Sequence, residues 1–358
     1  RFKIMYTVLI TCVGGEMAPF MIQTLKESKR HEVKIVGVDA DHSAIGKYFC
    51  DDFVTVPYGG DIGYANSIKE IVNTYSVDLI IPTSDEEAMA LSLLKGDFEK
   101  QGCVLACIDA NILSILIDKA KTYKFLRKFN IHTPKTIIID QFHELKAAVE
   151  SMCHDLGECV IKPARARGGR GVYVVSSQYD KIEYFIDKRE VHSDLENFFN
   201  SLIYKLEDDL PLIVMERLVE PVIDIDLLGW NGKDIKVIPR RRLNSAVPND
   251  GHILIDDNLL VDLGKELIKI FELSWLYDCD VMFDQKGNPC VLELNPRQSG
   301  SVAVSLSAGI ELLDDVIDLA KGNVDSILEK NVPYNACLLY TSDAADDLLC
   351  VDLGGRRI

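Results

Sequence analysis

Apolar, β-branched runs alternate with segments of helical periodicity through the first third of the chain. The runs are TVLITCV from Thr7, VKIVGVDA from Val33 and DLIIPTS from Asp78. The segments that follow them include GGEMAPFMIQTLKES, SIKEIVNTYSV and DEEAMALSLLKGDFEKQG. Strands separated by helices of this length are joined by right-handed crossovers, which gives a parallel sheet covered on both faces. We therefore expect residues 1–112 to form an open, Rossmann-like α/β domain.

From residue 113 the pattern changes to short strands with intervening helices. The strand-like runs are ECVIKPA, GVYVVSS, PLIVMERL, VIDIDLLGW, KDIKVIPRRRL, DCDVMFD and NPCVLEL. Two pairs of them are expected to form hairpins, across Asn231-Gly232 and across Lys286-Gly287-Asn288. This part, residues 113–336, is predicted to be α+β with antiparallel sheet. Its first helix is predicted from one apolar stripe, formed by Leu116, Ala120, Tyr123 and Leu126.

Composition narrows the class of protein. A chain of 358 residues is long enough for two or three domains. No apolar run approaches the roughly 20 residues that cross a bilayer, and no signal-peptide pattern precedes VLIT, so we expect no membrane partner. The net charge of −17 argues against nucleic acid as a partner, since its phosphates would be repelled. Ten cysteines without a disulfide framework or zinc spacing predict reduced thiols and a cytoplasmic protein.

The C-terminal tail is unusual. The string CLLYTSDAAD begins at Cys337 and is what a transposon-end adapter, used in DNA library preparation, encodes. Residues 337–358 are therefore expected to be adapter-derived and not evolved sequence, and no function is assigned to them.

A glycine-rich hairpin follows a strand that carries a lysine. VIKPARARGGRGVYVV contains Lys162, then Gly168, Gly169, Arg170 and Gly171, and the chain continues as another strand. Glycines let backbone N–H groups approach an anion, and the lysine adds a positive charge for phosphate oxygens. The hairpin is not a strand–loop–helix P-loop, because a strand follows it. The alternative is a flexible surface hairpin with solvated arginines.

The segment IVMERLVE is interpreted as an edge strand ending in an acid. Its backbone near Arg217 and Leu218 could face an adenine edge, and Glu216 or Glu220 could accept hydrogen bonds from an amine or a ribose hydroxyl. A strand end with solvated acids explains the same residues.

Charged residues also alternate along the two strands that follow. Asp224 and Asp226 are separated by one apolar residue, so they share one face of their strand. By the same rule Arg240 and Arg242 point to one face and Arg241 to the other. A solvated basic edge that discourages strand pairing is the alternative for the arginines.

The last two strands carry the most specific pattern. Asp280 lies in DCDVMFD, and VLELNPR places Glu293, Asn295 and Arg297 at alternate positions. In a hairpin Asp280 and Glu293 would lie side by side, with Asn295 facing the same way. Two carboxylates and an amide oxygen are hard ligands suited to magnesium, and Arg297 could stabilise a phosphoryl group in transfer. Without a cation, the facing carboxylates would need another counter-charge such as an arginine.

Taken in order, these pieces resemble the ATP-grasp superfamily, in particular carboxylate–amine ligases and the carbamoyl phosphate synthetase large subunit. The resemblance covers about residues 1–330. VLITCVGGEMAPFMIQTLKES looks like the preceding Rossmann-like domain, and IDKAKTYKFLRKFNIHTPKT like the first helix of the ATP site. CVIKPARARGGRGV looks like the hairpin that covers the phosphates. VLELNPRQSGS looks like the magnesium motif and is the most specific match.

The resemblance implies an α/β plus α+β fold: a pre-ATP-grasp domain over 1–112, then a two-subdomain ATP-grasp domain over 113–336 with its lid at about 133–215. ATP would lie between the two subdomains. The implied nucleotide-binding residues are Lys119, Lys162, Gly168, Gly169, Arg170, Gly171, Glu216, Arg217, Leu218, Glu220 and Asp226. Mg²⁺, with Mn²⁺ as the alternative ion, would be bound by Asp280, Glu293 and Asn295, and catalysis would use Arg297, Arg240 and Arg242. Asp280 departs from the family, where many members carry Glu or Gln.

The implied activity is ADP-forming ligation of a carboxylate to an amine or ammonia through an acylphosphate, by an enzyme that can form a homodimer. Carboxyphosphate chemistry on bicarbonate is an alternative. A noncatalytic nucleotide-binding protein is another, and so is an NAD-dependent oxidoreductase, because VLITCVGGEM with Asp39 imitates a dinucleotide-binding start without its G-x-G-x-x-G. No classical base is evident, and His252 is expected at the surface.

Overall fold

A parallel sheet forms the N-terminal part of the computed structural model, which describes residues 5–165, 171–185, 190–245, 250–327 and 332–339. The strand order is β3–β2–β1–β4–β5, and every neighbouring pair is parallel. This confirms the predicted α/β fold of this part. Its elements are β1 (Tyr6–Ile10), α1 (Ala18–Lys26), β2 (Val33–Asp39), β3 (Asp52–Thr55), α2 (Tyr64–Tyr75), β4 (Leu79–Ile81), α3 (Asp85–Ser92), α4 (Lys95–Lys100), β5 (Val104–Leu105) and α5 (Ala110–Leu116).

Two predicted helices are each divided. The helix expected from Asp85 onward breaks at Leu94, whose φ of −112° and ψ of 11° are not helical, and α3 and α4 result. The stripe expected from Leu116 to Leu126 is split between α5 and α6 (Lys119–Lys128). Asp118 begins α6 by accepting a hydrogen bond from the backbone N–H of Lys121 at 3.2 Å, because a short acid at this position satisfies a donor that the helix leaves open.

A second sheet carries the glycine hairpin. Its strand order is β6–β11–β7–β8–β10–β9, so β11 lies inside the sheet, antiparallel to β6 and β7. The interpretation of IVMERLVE as an edge strand is therefore wrong. β11 is an apolar run that is buried at every residue, as an interior strand requires. The elements are β6 (Thr136–Ile139), α7 (Leu145–Leu156), β7 (Glu158–Pro163), β8 (Val172–Ser176), β9 (Glu183–Phe185), β10 (Glu190–Ser193), α8 (Leu195–Asn197) and β11 (Leu212–Met215).

A third, antiparallel sheet has the order β16–β15–β12–β13–β14–β17. The hairpins predicted at 231–232 and 286–288 join β12 to β13 and β15 to β16. Each hairpin contains a bulge, with Ile235 and Leu292 as the extra residues. The elements are β12 (Val219–Trp230), β13 (Lys233–Arg242), β14 (Gly251–Leu254), α9 (Asn258–Ile270), β15 (Trp275–Phe283), β16 (Pro289–Asn295), α10 (Ala303–Ser307), α11 (Leu312–Ala320) and β17 (Cys337–Leu339).

The first and third sheets share one hydrophobic core, which runs from the strands of the N-terminal sheet to the helices that cover the third sheet. Ion pairs reinforce this contact, because Arg30, before β2, binds Asp315 at 2.7 Å and also Asp318 of α11. The second sheet has its own core. A small third cluster fills the space near the connection from β11 to β12; it contains Tyr123, Ala164, Ile213, Met215, Leu218 and Cys290.

The tail enters the third sheet at its edge. Cys337–Leu339 pairs antiparallel with β14, and residues 340–358 lie outside the described part of the chain. The adapter origin of 337–358 and the domain boundaries remain predictions. Among the described residues, no helix is both long enough and apolar enough to span a membrane.

Candidate nucleotide and metal site

Two rows of polar residues cross one face of the third sheet. In the first row Asp224 of β12 lies opposite Asp280 of β15, and Asp280 lies opposite Glu293 of β16. Residues that face each other in an antiparallel pair project from the same side. The second row lies two residues along each strand and consists of Asp226, Asp278 and Asn295. The predicted placement of Asp280 beside Glu293, with Asn295 on the same face, is what the structure shows.

The bulge at Leu292 sets this alignment. Val291 still faces Val281, but one residue later Glu293 faces Asp280, so Leu292 is the extra residue. Continued without the bulge, the register would place Glu293 opposite Cys279, on the other face of the sheet. The carbonyl oxygen of Leu292 accepts a hydrogen bond from the Tyr123 hydroxyl at 2.7 Å, which satisfies the group that the bulge takes out of the ladder.

Two lysines reach the first row from other elements. Lys119, at the start of α6, places its Nζ 2.7 Å from Glu293 Oε2. Lys162 of β7 is only 8% exposed. Burial and the neighbouring ammonium of Lys119 lower the pKa of Lys162 to about 7, against the opposing charges of Glu293 and Asp280. Burial opposes ionisation of Glu293, but Lys119, Lys162 and Arg297 outweigh it and lower the pKa of that carboxyl.

Arg242 supplies the counter-charge on the opposite side of the row. Its Nε donates to Asp224 Oδ2 at 2.8 Å, and its Nη2 donates to Asp280 Oδ2 at 3.0 Å. His252 is fully buried, with Nε2 2.7 Å from Asp224 Oδ2, so the expectation of a surface histidine is wrong. β14 pairs His252 with Arg242 and so turns the imidazole toward the same carboxylate. Although burial raises it, the pKa of Asp224 is lowered by its hydrogen bonds from Arg242 and His252.

Arg240 lies beneath the site and has no exposed surface. Its Nη2 donates to Asp226 Oδ1 at 2.7 Å, and its Nη1 donates to the carbonyl oxygen of Ser301 at 2.7 Å. The other oxygen of Asp226 accepts a hydrogen bond from Ser305. Arg240, expected in catalysis, and Asp226, expected at the nucleotide, thus contact each other and the segment that follows Arg297. As predicted, Arg241 points to the opposite face and is exposed.

Asp278 is a site residue that the sequence analysis did not single out. It accepts a hydrogen bond from Asn295 Nδ2 at 3.0 Å, and its other oxygen, Oδ1, accepts none from the described residues. Oxygens of Asp224, Asp278 and Asp280 lie within 4.8 Å of one another. Burial and the two neighbouring carboxylates raise the pKa of Asp278 well above its usual range. The alternation Asp-Cys-Asp in β15 was the available signal, since it puts both acids on one face.

Arg297 follows the end of β16, and its side chain contacts the N-terminal domain. Its Nε lies 3.3 Å from Oδ1 of Asp85, the first residue of α3, and its Nη1 donates to the carbonyl oxygen of Gln298 at 2.9 Å. Nothing in the sequence indicated Asp85, because the contact joins residues more than 200 positions apart.

The segment from Glu216 to Leu218 connects the second sheet to the third. Glu216 Oε1 accepts a hydrogen bond from the backbone N–H of Lys135 at 2.7 Å, and Arg217 Nη1 donates to Glu158 at 3.2 Å. Leu218 is buried in the small third cluster and Glu220 is exposed. The predicted hinge residues therefore lie at the junction of the two sheets.

Part of the phosphate hairpin is described. Gly168, Gly169 and Arg170 lie outside the described residues, whereas Gly171 has a φ of +69°, a conformation that favours glycine. β7 and β8 on either side are antiparallel, as the predicted hairpin requires.

The first strand ends in a closed turn and not in an open dinucleotide-binding loop. Asp39 Oδ2 accepts a hydrogen bond from the backbone N–H of Gly14 at 2.7 Å, and Oδ1 accepts one from Asp41 at 2.9 Å. A Cβ at Gly14 would lie 2.9 Å from Asp39 Oδ2. The carboxylate that a dinucleotide site needs for a ribose hydroxyl thus already holds the turn, which argues against an NAD-dependent oxidoreductase.

Comparisons with known proteins agree with this architecture. Residues 208–338 match a family described as ATP-grasp in the biosynthetic pathway with Ter operon, and residues 8–106 match the PylC-like N-terminal domain. No curated protein matches the chain in sequence.

Solved structures match over nearly the whole chain. Staphylococcus aureus N5-carboxyaminoimidazole synthetase complexed with ADP aligns with a TM-score of 0.64 at 15% identity, over 94% of this chain and 81% of that one. The biotin carboxylase domain of Hydrogenobacter thermophilus 2-oxoglutarate carboxylase, with MgADP and bicarbonate, has a TM-score of 0.66 at 16% identity, over 93% and 74%. Bacillus licheniformis L-amino acid ligase has a TM-score of 0.63 at 15% identity, over 93% and 78%.

The order of the three sheets, the polar rows on the third sheet and the two family matches have one common explanation. The chain has the fold of ATP-grasp proteins, and residues 208–338 match an ATP-grasp family.

Proposed function

We propose that the protein is an ATP- and Mg²⁺-dependent ligase that joins a carboxylate to an amine or to ammonia through an acylphosphate. The observation that carries the proposal is the ion pair of Lys119 with Glu293 in the first polar row, with the buried Lys162 in electrostatic range of the same row. Lys119 contacts Glu293, which lies opposite Asp280 on the adjacent strand. Cations for phosphate oxygens and hard oxygen ligands for a divalent ion thus occur together.

The residues present fit a magnesium ion. Asp280 Oδ1 is buried and accepts no hydrogen bond from the described residues, although burial of an oxygen normally requires a partner. Glu293 and the amide oxygen of Asn295 complete an all-oxygen ligand set on the same face. Mn²⁺ prefers similar ligands and would substitute. Held there, the ion would neutralise part of the negative charge on the phosphates of ATP.

Two sets of ion pairs occupy the site in the absence of ATP, and ATP binding must rearrange at least one of them. Lys119 neutralises Glu293, and Arg242 bridges Asp224 and Asp280. When ATP binds, its phosphates would offer Lys119 a new partner, and Glu293 would then be able to hold the metal. Because each partner exchanges one favourable contact for another, ATP and the ion should bind cooperatively.

The chemical step follows from the positions of these side chains. A carboxylate oxygen of the substrate attacks the γ-phosphorus of ATP, forming the C–O–P linkage of an acylphosphate while the bond to the β–γ bridging oxygen breaks and ADP leaves. Lys119 and Lys162 would stabilise charge on the phosphoryl oxygens, and Arg297 would hold the substrate carboxylate. An amine then attacks the acyl carbon and phosphate leaves, giving an amide. The substrate carboxylate is thus proposed to lie near Arg297, on the side that faces the N-terminal domain.

The proteins of similar fold support this reaction class. The synthetase is bound to ADP, the carboxylase to MgADP and bicarbonate, and the third is an L-amino acid ligase. Because one of these structures holds bicarbonate beside MgADP, bicarbonate is included among the carboxylates to be tested.

The experiment is ADP release from the full chain with MgATP and a matrix of amino acids, other carboxylates and bicarbonate, each with and without ammonium or an amine. Glu293→Gln is compared with Glu266→Gln, which changes a partly exposed acid of α9. We expect one carboxylate class to stimulate ADP release, with loss of the activity in Glu293→Gln only. ATP turnover that depends on no carboxylate, or equal activity in both variants, would reject the proposal.

A further inference from the structure

The contact between Arg297 and Asp85 joins the ATP-grasp site to the N-terminal domain. Asp85 is 6% exposed and follows Ser84, whose hydroxyl accepts a hydrogen bond from the backbone of Glu87 and so begins α3. The next residue after Arg297 is also bound to this domain, because buried Gln298 Nε2 lies 3.9 Å from the sulfur of Met21 in α1. Two successive side chains therefore fix the end of β16 against the first domain.

Arg297 lies close to both halves of the molecule. On one side it contributes to lowering the pKa of Glu293 in the first polar row. On the other, burial and the acids Glu87 and Asp39 raise the pKa of Cys12 to about 12, and Arg297 opposes them. The guanidinium is thus within electrostatic range of both the metal-binding face and the carboxyl end of β1.

The carboxyl ends of β1 and β4 have a special position in the parallel sheet. The order β3–β2–β1–β4–β5 reverses direction between β1 and β4. In open α/β sheets the crevice at such a switch point is where ligands bind, because the loops leave it in opposite directions. Cys12 follows β1, and Thr83 and Asp85 follow β4, so Arg297 reaches the crevice from the other domain.

The hydrogen bonds of Arg297 leave part of its guanidinium available. Nε faces Asp85 and Nη1 donates to Gln298, whereas Nη2 donates to none of the described residues. A guanidinium held by an ion pair beside Nε and by a hydrogen bond from Nη1 presents its remaining N–H groups to a carboxylate or phosphoryl oxygen. Asp85 would then determine the orientation in which Arg297 meets the substrate.

We propose that Asp85 is a positioning residue for Arg297 and so sets how this guanidinium meets the substrate carboxylate. This inference rests on the proposed ligase function. It assigns to the N-terminal domain a direct effect on carboxylate affinity and none on ATP affinity. A contact that only docks the domains would instead lower stability and leave the affinity for the carboxylate unchanged.

The test is a double-mutant cycle with Asp85→Asn, Arg297→Gln and both together, in the full chain. Asp97→Asn is the matched control, because Asp97 is a partly exposed acid of the same domain paired with Lys69 at 2.6 Å. Urea unfolding of the four proteins measures the coupling of the pair without any activity. Steady-state kinetics then give kcat and KM for the carboxylate and for ATP separately.

We expect Asp85→Asn to lower kcat/KM for the carboxylate by about 10- to 100-fold, as a small misplacement of a positioning group does. KM for ATP and the control variant should stay within about twofold of wild type. The double variant should be no worse than Arg297→Gln alone, and Asp85→Glu should recover part of the loss. Equal effects on ATP and carboxylate, additive losses in the double variant, or no kinetic change despite coupling in unfolding would overturn the proposal. Absence of any carboxylate-dependent turnover in the wild type would instead reject the proposed function, and the unfolding cycle would still report the ion pair.

Discussion

Arg240→Met tests the role of the buried ion pair beneath the site. The guanidinium and its partner Asp226 are both almost fully inaccessible, and Nη2 lies 2.7 Å from Oδ1. Arg240 also donates to the carbonyl and hydroxyl oxygens of Ser301, at 2.7 and 2.8 Å. Methionine fills a similar volume but supplies no donor, so a buried carboxylate and a buried carbonyl lose their partner.

The expected loss can be worked from these contacts. Removing one member of a buried ion pair costs about 3–5 kcal/mol, because the remaining charge is left uncompensated. An unsatisfied carbonyl adds about 1–3 kcal/mol, part of which overlaps with the first value. We therefore expect Arg240→Met to lower the free energy of unfolding by about 3–5 kcal/mol. Ser301 follows Arg297 closely in sequence, so the variant should also lose carboxylate-dependent activity.

The assay is urea unfolding followed by circular dichroism, with Arg241→Met as the control. Arg241 is the next residue of β13 but is exposed on the opposite face, so its replacement should cost less than about 0.5 kcal/mol. The pair Arg240→Met with Asp226→Leu should be more stable than Arg240→Met alone, because it removes the orphaned charge. Equal stability of the two single variants, or a further loss in the double variant, would refute the reasoning.

Three further predictions concern the site and its support. At pH 8 the side chain of Lys162 is mostly deprotonated, because burial lowers its pKa to about 7. The phosphates of ATP favour the charged form, so ATP binding should take up close to one proton. Calorimetry in buffers of different ionisation enthalpy measures this uptake, which should be absent in Lys162→Arg. Gly264→Ala should lower the free energy of unfolding by about 1–3 kcal/mol, since the new Cβ would lie 2.4 Å from a valine methyl of β13. In Gly96→Ala, the control, the new Cβ meets nothing within 4 Å, so this variant should be as stable as the wild type or more stable in urea titrations. Tyr123→Phe should cost about 1–2 kcal/mol in the same titrations, because the carbonyl of Leu292 loses its buried donor; a loss below about 0.3 kcal/mol would show that the hydroxyl does not support the bulge.

The sequence predicts the sheets because their signals are local. β-branched runs, helical spacing and the turn at Asn231-Gly232 each act over a few residues, and these elements form as expected. β11 was misplaced, since an apolar run has the same sequence signature inside a sheet and at its edge. Whether a strand gains a second neighbour depends on the distant β6 and β7.

The site was predictable to the extent that it lies on one hairpin. Alternation places Glu293 and Asn295 on one face, and the hairpin brings Asp280 to them. The bulge at Leu292 completes the alignment but has no local signal. It is stabilised by Tyr123, far away in sequence.

The site residues that the sequence did not predict depend on long-range contacts. Asp85 reaches Arg297 only after two domains pack together, and His252 is buried only because β14 adds to β13. The alternation of Asp278 with Asp280 matches that of Asp224 and Asp226 on the neighbouring strand, and this shared spacing is the local signal for Asp278.

The most direct test of the central claim is the fate of oxygen during turnover. The full chain is supplied with MgATP, an amine and the activating carboxylate labelled with ¹⁸O in both oxygens, and the phosphate released is analysed by mass spectrometry. Attack of the carboxylate on the γ-phosphorus followed by displacement of phosphate predicts one ¹⁸O in each phosphate and ADP as the nucleotide product. Unlabelled phosphate, or release of AMP and pyrophosphate, would contradict the acylphosphate route.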